Sequence, residues 1–276
     1  MISKITDLTE YLPFMKSFTG DPDFSDPHIT MMTEAGESLS KLLKDEYHQG
    51  FLVTDGAEQR GVFVLLIEPD EKYAEMIAAL TRDAGAIEEM LAYIERTLAG
   101  YQCDFVFNPN NYLLRRALTV RNVEFDKEMQ RMVFTHTAPA CGTENVQLLS
   151  PEYAVQYVRM HNTDMYWTAE RVMAAPERFR TYIALDGGTV TGYLDVTHCF
   201  DENEPYDLLV KSEYRRRGYG RQLLAAALAG NGQKDMMLFV ETDNVPAIRL
   251  YESMGFAAKK NTNTLTAFWA VPHDAA

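Results

Sequence analysis

Short apolar runs and alternating stretches occupy most of the chain, and their order recurs. In the second half, Thr181-Tyr182-Ile183-Ala184-Leu185 and residues 190–196 flank Asp186-Gly187-Gly188. Those turn residues join antiparallel strands, so the pattern predicts a hairpin. Residues 206–210 and 236–240 read as short buried strands, with an alanine-rich helix over 222–229 between them. Upstream, Ser150-Pro151-Glu152 offers a capping residue and a first-turn proline, and Ala154, Val155 and Val158 continue that helix. A second helix is predicted over 168–179, a last one over 246–253 stopped by Gly255, and a closing strand over 264–270.

The first half follows a comparable order. Strands are predicted over 50–53, 62–67 and 73–80, a helix over 86–98, a strand over 105–107, a helix over 112–120 and a closing strand over 129–134. Between the halves, Ala138-Pro139-Ala140-Cys141-Gly142-Thr143 is small, polar and broken by proline and glycine. A chain of 276 residues is long for one core. We therefore expect two domains, 1–138 and 139–276, related by an ancient duplication that leaves no residue-level repeat.

Composition adds exclusions. With 46% apolar and 24% charged residues the chain can bury a real core. A formal net charge of -14 opposes nucleic acid and anionic lipid, so neither is an expected partner. Cys103, Cys141 and Cys199 are too few and too scattered for a disulfide framework or a zinc site, and no metal is expected. They suggest a reducing, cytoplasmic setting. Met1-Ile2-Ser3-Lys4-Ile5-Thr6-Asp7 does not read as an export signal, and no apolar run reaches membrane-spanning length.

The basic residues cluster once, in Leu208-Leu209-Val210-Lys211-Ser212-Glu213-Tyr214-Arg215-Arg216-Arg217-Gly218-Tyr219-Gly220-Arg221. There a strand runs into a glycine-bearing turn that opens a helix, so unpaired N–H groups and the helix dipole converge on one point. Such a point attracts phosphate: the two glycines admit an anion to the backbone and the arginines add charge-assisted hydrogen bonds. No G-K-S/T follows, which excludes a Walker loop, and the third glycine of a dinucleotide fingerprint is missing. Alone, residues 215–217 would read as a solvated basic turn.

The spacing of Arg215, Gly218 and Gly220 between strand and helix resembles the pyrophosphate loop of the GNAT superfamily of acyltransferases. Asn244-Val245-Pro246-Ala247-Ile248-Arg249-Leu250-Tyr251-Glu252-Ser253-Met254-Gly255-Phe256 is similar to a second segment of that superfamily, N-x-x-A-x-x-x-Y-x-x-x-G-F. The two together span about the last seventy residues. The resemblance implies an α/β (α+β) fold of two GNAT-like domains, each a mixed, mainly antiparallel twisted sheet flanked by helices. It implies acetyl-CoA as the coenzyme A donor, its pantetheine arm pairing with the backbone of Leu208, Leu209 and Val210. Its pyrophosphate would lie on Arg215, Arg216, Arg217, Gly218, Tyr219, Gly220 and Arg221, with Asn244 near the pantetheine.

Direct transfer needs a base for the ammonium and an acid for the departing thiolate. The resemblance puts the acid at Tyr251, a position that otherwise reads as a core tyrosine, and the base at Glu204. The run Asp201-Glu202-Asn203-Glu204-Pro205 argues equally for solvated loop charges, and Asp195, Asp207, Glu241 and His198 stay as alternatives, as does an ordered water. Phe239 stands where many relatives carry a second carboxylate. Cys199 reads as a small core residue rather than a nucleophile.

In the first half, Thr81-Arg82-Asp83-Ala84-Gly85 has one glycine and an aspartate where phosphate would sit, and Val120 stands in the place of Tyr251. That half is expected to keep the fold without the cofactor, and to shape the cleft or stabilise the other half. The expected activity is N-acetyl transfer to a primary amine of a small molecule or to a peptide or protein amino group. A catalytically silent acyl-CoA-binding regulator is the alternative.

Overall fold

The computed structural model describes all residues except 35–36, 164–165 and 274–276. In chain order, the first half carries β1 (Ile2–Ile5), α1 (Leu12–Lys16), α2 (Pro27–Glu34), β2 (His48–Asp55), β3 (Glu58–Glu68), β4 (Tyr73–Leu80), α3 (Ala84–Thr97), β5 (Gln102–Phe107), α4 (Tyr112–Val120), β6 (Glu124–Phe125) and β7 (Met129–Phe134). The second carries β8 (Val146–Leu148), α5 (Ala154–Met160), α6 (Ala169–Ala174), β9 (Phe179–Asp186), β10 (Thr189–Thr197), β11 (Glu202–Asn203), β12 (Pro205–Val210), α7 (Tyr219–Asn231), β13 (Asp235–Glu241), α8 (Val245–Glu252), β14 (Phe256–Ala258) and β15 (Leu265–Ala270). The predicted helix over 168–179 is shorter than expected. Pro176 cannot continue α6, and Phe179 already opens β9.

Two compact units form, and their boundaries differ from the expected 1–138 and 139–276. One holds Met1–Gln130 with Lys260–Ala276, the other Arg131–Lys259. The closing strands account for the difference. In unit 1, β15 pairs antiparallel with β5 and β6, burying Leu265, Ala267 and Trp269 beside Phe105 and Cys103. In unit 2, residues 132–134 of β7 pair with β14, and Met132 enters that unit's core. A break read from proline and glycine content says nothing about which sheet a later strand joins, because pairing joins residues far apart in sequence.

Unit 1 is built on one sheet in the order β1-β2-β3-β4-β5-β15-β6, antiparallel apart from the β4–β5 pair. The apolar stripe of α3 (Ile87, Met90, Leu91, Ile94), with Leu114 and Leu118 of α4, covers one face over Phe63 and Phe105. Leu8, Met15, Phe18 and Ile29 cover the other, over Val62, Val64 and Leu80. Each such side chain stabilises by roughly 1.5–3 kcal/mol when fully buried.

Unit 2 carries two sheets, β12-β10-β9-β8 and β11-β13-β7-β14. Leu223, Leu224 and Ala227 of α7 pack over Ala184, Leu194, Met236 and Leu238, so one helix lies across strands of both sheets. Tyr157 of α5 buries the opposite face of β9 and β10 with Ile183 and Tyr193. The two sheets diverge here: β11 pairs in parallel with β13 at Glu202 and Asn203, whereas β12, among the described residues, pairs only with β10.

Candidate functional site

Pro205 marks the divergence. It brings no N–H to a ladder, and from it onward Leu208, Leu209 and Val210 face Leu194, Tyr193 and Gly192 of β10. β12 ends its sheet, so its far edge has no strand partner among the described residues. Backbone groups on an unpaired edge must be satisfied by water or by an added extended ligand.

Beyond that edge the chain turns into α7. Gly218 is the N-cap, with φ of +90°, and no side chain caps the helix. The first intrahelical bond runs from Gln222 N to Gly218 O, so the amides of Tyr219, Gly220 and Arg221 have no carbonyl one turn back. A β-carbon at Gly218 would meet nothing within 4 Å, which leaves the mouth open. Gly220 has a packing role as well: a β-carbon there would lie 3.1 Å from Leu250 Cδ2 of α8, so its lack of a side chain allows close helix packing.

The arginines divide. Arg215 Nε donates to Val210 O at 3.0 Å. The Arg217 guanidinium stands 5.1 Å from the Tyr214 ring centroid and 3.8 Å from Asp186. Arg216 has φ of +62°, a conformation few non-glycine residues adopt, and is exposed with Arg221. Tyr219 is buried, its ring 6.2 Å from Tyr214. Asn244 caps α8, its side-chain oxygen accepting from Ala247 N at 3.3 Å, and the residue is exposed.

Tyr251 lies on the inner face of α8 with its ring 6.0 Å from Phe256. Its hydroxyl finds no hydrogen-bond partner among the described residues. Burial, then the charges of Asp207 and Glu204, push it up to about 12, so it stays protonated at neutral pH. Glu204 sits between β11 and β12, its backbone tied both ways to Thr197: Thr197 N to Glu204 O at 2.9 Å, and Glu204 N to Thr197 Oγ1 at 2.7 Å. Burial raises its carboxyl to about 7, with Arg178 pulling down and Glu202 pushing up. Glu204 is therefore half-buried and not a solvated loop charge.

Of the other carboxylates, Asp195 is fully buried and saturated. It accepts from Tyr157 Oη at 2.8 Å, Thr181 Oγ1 at 2.6 Å and His161 Nε2 at 3.0 Å. Asp207 accepts from Tyr193 Oη and lies 3.8 Å from His161. Burial raises its carboxyl against that hydrogen bond. His161 Nδ1 faces the Asn162 carbonyl at 2.9 Å, so both ring nitrogens meet acceptors, an arrangement that favours the protonated ring, which stacks 5.1 Å from Tyr193. Burial depresses its pKa, but the bonds to Asp195 and Asn162 outweigh that and raise it. The three groups lie within 4.8 Å of one another, a ligand-like spacing, yet these hydrogen bonds already occupy them. Nothing in the chain's pattern flagged His161. His198 Nε2 is bonded to Pro176 O, and Cys199 is exposed in the turn after β10, contrary to the core place expected of it.

The matching helix mouth in unit 1 is plugged. Asp83 caps α3, accepting from Gly85 N at 2.7 Å and Ala86 N at 3.1 Å, and is paired with Arg60 at 2.7 Å. The Arg60 bond, against burial, holds its carboxyl down at about 2. Asp83→Ala is expected to destabilise unit 1 by about 1 kcal/mol in thermal unfolding. Because the folded value is depressed, this contribution is complete above about pH 4 and fades as acid carries the group down towards its folded value. An Asp83→Ala deficit that persists undiminished at pH 2 would refute the assignment.

Among the described residues, no helix is long and apolar enough to cross a membrane. The acetyltransferase (GNAT) family profile matches residues 144–256. Mycothiol acetyltransferase of Corynebacterium glutamicum (strain R) is 34% identical over 80 residues, 28% of this chain and 27% of that protein. The chain thus spans about a quarter of the length of the curated relatives it matches. A GCN5-related N-acetyltransferase from Sphaerobacter thermophilus superposes with a TM-score of 0.62 at 13% identity, over 100% of this chain and 98% of that one. A tandem GNAT protein from the clavulanic acid biosynthesis pathway gives 0.53 at 14% identity, over 99% of both chains. Residues 144–256 thus match the acetyltransferase (GNAT) family profile, within a chain whose fold throughout resembles that of a tandem GNAT protein.

Proposed function

We propose that unit 2 is an acetyl-CoA-dependent N-acetyltransferase acting by direct transfer on a primary amine of a small molecule or peptide. One observation carries this reading. An uncapped helix mouth, an open strand edge, and a tyrosine near two carboxylates are borne by elements of a single core, which takes in Tyr219, Tyr251, Leu208 and Val210 together. The mycothiol-acetylating relative supports the transfer class and not its acceptor.

Bound acetyl-CoA supplies a thioester, whose C–S bond breaks as the N–C bond to the acceptor forms. The amides of residues 219–221 and the arginines of the turn hold the diphosphate, the edge of Leu208, Leu209 and Val210 pairs with the pantetheine amides, and the Asn244 amide flanks them. The acceptor ammonium loses two protons. Glu204 takes the first and passes it to solvent; the second replaces the proton that Tyr251 Oη gives to sulfur. Unit 1, with Asp83 in its helix mouth, is not assigned a nucleotide.

Thiol release from acetyl-CoA against an amine library tests this. Wild-type kcat/KM is expected to rise with pH through about 7, where Glu204 loses its proton. Glu204→Gln should lower it about a hundredfold and flatten that limb. An unchanged limb in the variant assigns the base elsewhere. Acetyl-CoA that raises Tm with no thiol released from any amine would replace this reading with a binding protein.

A further inference from the structure

Beside β12 lies a guanidinium with nothing to hold. The Arg178 Cζ stands 4.9 Å from the Trp167 ring centroid, 5.3 Å from Phe200 and 5.6 Å from Phe179. Its Nε is shielded from water and has no hydrogen-bond partner. None of its other donors finds an acceptor among the described residues. Stacking on rings stabilises a guanidinium but leaves its in-plane N–H groups unsatisfied.

The backbone sets this group close to Glu204. Arg178 precedes Phe179, which pairs with Thr197 across β9 and β10, and Thr197 is the residue hydrogen-bonded both ways to Glu204. The Phe179 ring lies 5.9 Å from that of Tyr206, two residues after Glu204. The Arg178 charge acts on Glu204, opposing the rise in its pKa that burial causes. Even so, no ion pair joins them among the described residues. The Glu204 carboxylate has no hydrogen-bond donor there, and neither has the Tyr251 hydroxyl a partner.

Half-buried opposite charges normally close on each other, since an unpaired one is costly. Here a planar cation stacked on aromatic rings and a carboxylate stay unpaired among the described residues. A ligand that bears an ammonium and a carboxylate satisfies both at once, and a guanidinium fork matches a carboxylate in particular. We infer that the acceptor is a zwitterion, an amino acid or a close relative, whose carboxylate is bound by Arg178 while its ammonium lies against Glu204. The inference rests on the acetyl-transfer reading for which atom is acylated; the binding site stands apart from it.

The test uses the full chain with saturating coenzyme A. Calorimetry compares the standard amino acids with the amines left by their decarboxylation, for example phenylalanine with phenethylamine, leucine with isoamylamine and arginine with agmatine. At least one amino acid is expected to bind about tenfold or more tightly than its amine, a ratio that one charge-assisted contact supplies. Arg178→Gln should bring that ratio to within about twofold. The rise in Tm that acetyl-CoA produces reports that the variant is folded. Amines binding as well as their amino acids, a ratio unmoved in Arg178→Gln, or no binding by either set would each overturn the inference. Thiol release from amines without any preference for carboxylate would do so while sparing the acetyl-transfer reading. A preference without thiol release would do the reverse.

Discussion

Tyr251→Phe is expected to cut turnover about a thousandfold while acetyl-CoA still binds. The ring is 9% exposed and packs against Phe256, and phenylalanine keeps that packing. Only Oη is lost, and since no group among the described residues bonds it, its removal orphans no buried partner there. Stability should therefore stay within about 1 kcal/mol of wild type. The hydroxyl, pushed up to about 12 by burial and two carboxylates, holds its proton across the working range, as an acid for a departing thiolate must. Steady-state thiol release beside thermal unfolding measures both quantities. Turnover within twofold of wild type would mean the thiolate departs unaided, and Tyr251 would revert to core filler.

Gly218→Asp should weaken acetyl-CoA about a thousandfold, the equivalent of some 4 kcal/mol. The substitution gives α7 the plug that α3 already has. In unit 1 the Asp83 carboxylate accepts from the first-turn amides and carries the negative charge that a phosphate would bring. At position 218 a carboxylate would take the same amides and repel the diphosphate. Space does not forbid it, since a β-carbon there meets nothing within 4 Å, but φ of +90° strains any L side chain by about 1–2 kcal/mol. Gly218→Ala carries the strain without the charge, and isothermal titration of the two variants separates the effects. Equal, small losses in both would move the diphosphate away from this helix.

Much of the site was legible because its signals are local. A strand, a turn with Gly218 and Gly220, and a helix follow each other within a few residues, and turn chemistry acts at that range. Gly220 also packs against Leu250, thirty residues on, a contact that no local pattern reveals. The ambiguity at Glu204 had the same origin. A run of acids before a proline is equally a surface loop and a strand junction, and only the strand pairings at Glu202 and Pro205 decide between them. Arg178 and His161 left no trace, since the groups around them come from other segments: the rings of Trp167 and Phe200 for one, Asp195 and Asp207 for the other.

From the chain alone came the order of strands and helices, the glycine and arginine turn at an uncapped helix, and the aspartate that shuts its counterpart, because hydrophobic period, capping and turn chemistry act between near neighbours. The tertiary structure alone decided that β15 closes unit 1 and β7 serves unit 2, that the chain leaves β13 at Pro205, and that the Arg178 Nε is buried without a hydrogen-bond partner among the described residues. Those outcomes depend on which distant strands share a ladder and how far each charge is withdrawn from water, and both are set by packing across the whole unit.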